Sequence, residues 1–152
     1  TTVYLLIGLW GVFNLIAPYA VLLWAEQVSW GRLPAELLTA KRDKRVRFYI
    51  TSLSSSYGYS VFSPWLNLVV FDKFFFASAS PKELRFVIAH ELAHFHQCHH
   101  MKRWVVVVTG LVLFPTVRRW LLRMEEEADV EATRRTGFER KLFPELGGVN
   151  HE

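Results

Sequence analysis

At 152 residues, 51% hydrophobic and 15% aromatic, the chain is long enough to bury one core without staples and more apolar than a freely soluble protein requires. Its single cysteine, Cys98, excludes an intrachain disulfide and fits a reducing compartment. The net charge of +4 is unevenly placed: no Lys or Arg precedes Arg32, and six (Arg32, Lys41, Arg42, Lys44, Arg45, Arg47) lie between Arg32 and Arg47.

The first element is VYLLIGLWGVFNLIAPYAVLLW, residues 3–24, with no charge in 22 positions. A hydrocarbon core is crossed by about 20 such residues, and Trp24 and Trp30 stand where an interfacial aromatic belt would. The run is too long, and too bare of a basic leader, for a cleaved signal peptide. It predicts an N-terminal transmembrane or hydrophobic helix within residues 1–31, followed by one domain over 32–152. The basic flank places that domain on the cytoplasmic side of a cell membrane by the positive-inside rule. KRDKRVR (41–47) is short and broken by Asp43. It suits anionic lipid headgroups better than nucleic acid, which is not expected as a partner.

RVRFYITSL (45–53) alternates and is rich in β-branched and aromatic residues, so it reads as a strand. YSVF (59–62) and WLNLVVF (65–71) read as two more, and the intervening Pro64 restricts pairing there to an edge or a break. In SPKE, Ser80 is an N-cap, Pro81 the first helical residue and Glu83 the return partner of a capping box. A helix should therefore run from Pro81 to about Arg103. A second is expected from about Thr116 to Arg135. The apolar WVVVVTGLVLFPTV between them (104–117) has 14 residues, short of a simple span, and should fold back to the side it left. The fold class is α+β, with helices packed on a small, mostly antiparallel sheet.

Five of the six histidines lie between positions 90 and 100. His90-Glu91-Leu92-Ala93-His94 is the HExxH pattern on a helix, where positions i and i+4 are about 40° apart and both imidazoles reach one ion. Glu91 stands beside them, placed to take a proton from metal-activated water and return it to a leaving amine. Measured from His90, a continuous helix puts His96 at about 240°, His99 at about 180°, and Cys98 and His100 more than two turns along the axis. These four are expected to be surface or packing groups, or outer supports, and not ligands. The third ligand should come from MEEEADVEA. The inward stripe Leu121, Glu125, Ala128, Ala132 selects Glu125, with Asp129 on the same face to orient a ligand histidine. Glu126 and Glu127 fall towards solvent, Glu127 facing Arg123.

HExxH followed by E-x-x-x-D on a later helix resembles the gluzincin metallopeptidases, in particular the membrane family of HtpX and the CAAX prenyl endopeptidases. SPKELRFVIAHELAHFHQCHH resembles that family's approach to its active-site helix, and EEEADVEATRRTG its third-ligand segment. The resemblance spans roughly residues 46–137. It implies a zincin-like fold and one zinc per chain on His90, His94 and Glu125. It further implies Glu91 as general base, with Asp129 holding a ligand from outside. FSPWLNLVVF and LFPTVRRWLLRMEEEAD also resemble the peptidase domain of BlaR-type sensors, which shares the site chemistry.

The expected activity is hydrolysis of peptide bonds in unfolded or membrane-proximal polypeptide, laid along an edge strand, YSVF being the candidate. Alternatives are a BlaR-type regulatory signalling protease and a non-catalytic zinc-binding membrane scaffold. A structural zinc needs no adjacent base, so Glu91 argues against the scaffold. Candidates for stabilising the oxyanion are Tyr57, Tyr59, Arg134 and His151.

Overall fold

The computed structural model describes residues 2–29, 32–33, 45–52, 58–60, 67–109 and 114–138. The strands are β1 (Glu26–Gln27), β2 (Arg47–Thr51), β3 (Gly58–Ser60) and β4 (Leu68–Asp72). The helices are α1 (Thr2–Ala20), α2 (Lys73–Ser78), α3 (Pro81–His96), α4 (His99–Val108) and α5 (Pro115–Thr136). A short 3-10 turn, Val21–Leu23, follows α1.

The described strands form one sheet in the order β1-β2-β4-β3. Both outer pairings are antiparallel, as expected, but the central pair β2–β4 is parallel. The parallel pair arises because β3, between them in sequence, lies at the edge, and the chain returns to run beside β2. β4 is buried at every position, as its continuous apolar run requires of a strand covered on both faces. Alternation then divides the core. Phe48, Val69 and Phe71 face α3, while Leu68 and Val70 meet Leu22 and Tyr49 on the other side. The Phe48 and Phe71 rings stack at 5.9 Å.

The capping box forms as the sequence predicts: Ser80 Oγ accepts from the Glu83 N–H at 3.3 Å, and Glu83 Oε2 accepts from the Ser80 N–H at 3.0 Å. From Phe86 to Phe95 every residue of α3 is buried, so this helix runs through the middle of the domain. The helix expected to continue to Arg103 stops at His96. Cys98 takes φ of 57°, a left-handed conformation, and α4 starts at His99. No glycine, asparagine or proline marks that break.

α5 begins at Pro115 and ends at Gly137, whose φ of 66° and N–H bond to the Thr133 carbonyl at 2.8 Å close the helix. Its expected bounds differ by one residue at each end. The segment 104–117 falls partly in α4 and partly in α5, with residues 110–113 outside the described set. α4 and α5 pack against each other, so the two ends of the segment lie against the same domain. Residues 61–62 and 65–66 of the other expected strands also lie outside it.

Among the described residues no helix is long and apolar enough to cross a membrane. The expected span over 3–24 is instead a helix ending at Ala20 and a turn, with Leu5, Leu6, Leu9, Trp10, Phe13 and Ile16 exposed along it.

Candidate metal centre

α3 and α5 pack closely, and their facing turns bring His90 and His94 against Glu125. Nε2 of His90 is 3.1 Å from Nε2 of His94 and 3.2 Å from Oε2 of Glu125, and His94 Nε2 is 3.4 Å from the same oxygen. Both histidines are buried and Glu125 nearly so. Among the described residues this is the one group of three or more His, Cys, Asp or Glu able to hold a metal ion.

The triangle tests whether zinc fits. Donors about 2.0–2.1 Å from a tetrahedral ion stand about 3.3–3.4 Å apart, and the observed edges are 3.1, 3.2 and 3.4 Å. The donor set, two imidazoles and a carboxylate, is one that zinc accepts with a position left open. The tautomers agree. Asp129 Oδ1 lies 2.7 Å from His90 Nδ1, and a carboxylate can only accept, so Nδ1 carries the proton and Nε2 turns a lone pair into the triangle. The lone pair of His90 Nε2, the Nε2 of His94 and a carboxylate oxygen thus converge in a nearly buried space, a setting that a cation would stabilise.

Three further groups hold this triangle. Arg103, from α4, forms an ion pair with Oε1 of Glu125 and leaves Oε2 for the histidines. The Glu91 charge acts on both Arg103 and His94. Glu91 itself is buried. His94 Nδ1 lies 3.0 Å from Nδ1 of His99. Burial, the dominant influence, pushes the pKa of His94 down to about 3 despite the opposing pull of Glu91. The ring is thus neutral, as a ligand must be.

The continuous helix on which the other four were sorted ends at His96, and the structure places them one by one. His96 Nδ1 accepts from Arg135 at 2.5 Å, tying α3 to the end of α5. His100 packs its ring on Phe95 at 4.8 Å. Cys98 is half-buried at the helix break. His99 would point away from His94 on an unbroken helix; the break at Cys98 turns it back. Glu127 is exposed as expected, and its Oε2 lies 3.2 Å from His99 Nε2.

Sequence reasoning missed Arg103 and the role of His99. The basic residue after a histidine-rich helix end was a signal for Arg103 that periodicity alone could not use. Of the oxyanion candidates, Arg134 is ruled out by position. It lies about 180° around α5 from Glu125, with its side chain 71% exposed and forked onto Glu131. Tyr57 and His151 lie outside the described residues, and of Tyr59 only the backbone, in β3, is described.

The model of Peptidase family M48 matches residues 38–144, well over half of the chain. The chain belongs to peptidase family M48. No curated protein and no solved structure matches it. M48 enzymes are metallopeptidases and in general zinc-dependent, and the donor triangle of this M48 chain has the composition and size that zinc takes.

Proposed function

We propose that this M48 chain is a membrane-associated zinc endopeptidase in which His90, His94 and Glu125 hold one zinc and Glu91 is the general base. The observation that carries the reading is the donor triangle, with edges of 3.1–3.4 Å, beside a buried carboxylate that is not part of it. Zinc, when bound, supplies Lewis acidity and lowers the pKa of water towards about 7. Glu91 takes the proton from the attacking water and hands it to the leaving amine. Asp129 fixes the His90 ring, and Arg103 fixes which oxygen Glu125 presents. A non-catalytic zinc scaffold would have no use for a buried carboxylate at Glu91 and would close the fourth position.

The substrate is a polypeptide. The edge position of β3 supports binding of an extended segment by strand addition, mainly through its backbone. Membrane association, with the domain on the cytoplasmic face, is proposed from the exposed apolar side chains of α1 and the basic residues that follow it. Within gluzincins the motifs favour an HtpX or CAAX-endopeptidase relative over a BlaR-type sensor.

The test is Glu91→Gln. It should retain about one zinc per chain and lose casein cleavage by several orders of magnitude. Cleavage near the wild-type rate would sink the mechanism.

A further inference from the structure

The two histidines of the triangle are supported differently. Asp129 reaches His90 directly, whereas among the described residues no carboxylate meets Nδ1 of His94. Its Nδ1 meets Nδ1 of His99 at 3.0 Å, and His99 Nε2 lies 3.2 Å from Oε2 of Glu127. His99 Nε2 makes no hydrogen bond at that separation.

Two ring nitrogens 3.0 Å apart can share only one proton. If His99 held it on Nδ1, the neutral His94 would carry its own proton on Nε2, aimed at His90 and Glu125, and could not bind a metal. If His94 holds it on Nδ1, its Nε2 lone pair faces the triangle and His99 is the acceptor. His99 must then carry its proton on Nε2, the atom that faces Glu127. A carboxylate accepts and cannot donate, so Glu127 selects the second arrangement. His99 is fully buried, and a buried N–H needs an acceptor; among the described residues, the carboxylate beside it is that of Glu127, at 3.2 Å. Its side chain is 61% exposed.

We propose that Glu127 and His99 form a two-step relay that fixes the tautomer of His94 as a metal ligand, making both of them positioning residues of the metal centre. This rests on the reading of His94 as a ligand. The outer end of the relay opens on a cavity of about 670 Å³, lined also by Gln97, Lys102 and Arg123. Glu127 can therefore be changed without disturbing the core.

The experiment uses metal-free protein labelled with 15N-histidine. Two-bond 1H–15N correlations report which nitrogen of each ring is protonated, and zinc affinity is read by competition with a chelator. Wild type should show His94 protonated at Nδ1 and His99 at Nε2. Glu127→Lys offers a donor in place of the acceptor, should move the His99 proton to Nδ1, and should weaken zinc binding about 10–100-fold. Glu126→Lys makes the same charge change next door and should alter neither. His99→Gln keeps an acceptor for His94 and should retain more affinity than His99→Phe. A His94 protonated at Nε2 in wild type, or a Glu127→Lys protein indistinguishable from Glu126→Lys, would overturn the relay. His94→Ala separates the two levels. Full zinc in that variant removes the ligand reading itself, whereas loss there with unaltered Glu127→Lys removes only the relay.

Discussion

Replacing Arg103 by Met removes a cation from among carboxylates that are almost out of water. Its guanidinium pairs with Glu125 and lies within electrostatic reach of Glu91. The arginine side chain is 14% exposed and that of Glu125 17%. Methionine keeps much of the aliphatic volume, so the loss is mainly electrostatic. Breaking a buried pair by removing one partner costs about 3–5 kcal/mol, because a charge is left buried without compensation. In a chain of this size that lowers the melting temperature by about 10–15 °C. The cost should depend on zinc, since a dication beside Glu125 neutralises the same oxygens. Arg103→Met should therefore be strongly destabilised in chelator and much less so with saturating zinc, and thermodynamic linkage then requires the variant to bind zinc more tightly relative to its own metal-free state. Urea and thermal unfolding of both proteins, with chelator and with zinc, measure the four values. Equal destabilisation in the two conditions, or a change below about 1 kcal/mol in chelator, would refute the argument that Arg103 compensates the metal-ligand carboxylate.

Asp129→Ala should weaken zinc binding by about 10–100-fold, because His90 loses the acceptor at 2.7 Å that fixes its tautomer; chelator competition reads this, and unchanged affinity would count against it. Cys98 sits at φ of 57°, so Cys98→Val should unfold about 1–2 kcal/mol more easily than Cys98→Gly, a ranking that denaturant melts can reverse. The pKa of His94 is depressed to about 3, so below the ordinary value of about 6.5 the unfolded chain binds a proton that the folded one refuses. Stability of the metal-free protein should accordingly fall as pH drops from about 6.5 to 3, by up to about 1.4 kcal/mol per pH unit for that histidine, and stability that holds or rises on acidification would contradict a neutral buried ring.

What could be read in the sequence was local or periodic. SPKE set the start of α3 because capping is a contact within four residues, and HExxH set two donors because i and i+4 share a face. Glu125 and Asp129 followed from the alanines that mark the inner side of α5, and the structure buries Ala128 and Ala132 there. What could not be read was non-local. Gln97-Cys98 lacks the residues that ordinarily end a helix, so an unbroken helix to Arg103 was the natural expectation. The left-handed Cys98 accompanies the burial of His99 and His100 against α3, a gain that no propensity records. That turn brings His99 and Arg103 back to the site. The parallel pairing of β2 with β4 is likewise set by β3 taking the edge. α2 was missed because its six residues carry no amphipathic period, only the Asp72 cap, which accepts from Phe75 N–H at 2.9 Å.

The central claim is that His90, His94 and Glu125 together hold one zinc. An anomalous difference map of zinc-loaded crystals, collected on both sides of the zinc absorption edge, tests it most directly. The account predicts one peak per chain within about 2.0–2.2 Å of His90 Nε2, His94 Nε2 and Glu125 Oε2, with His96, Cys98, His99 and His100 outside bonding distance. A peak coordinated by Glu126 or His99 in place of Glu125, or no peak between the two α3 histidines, would contradict it.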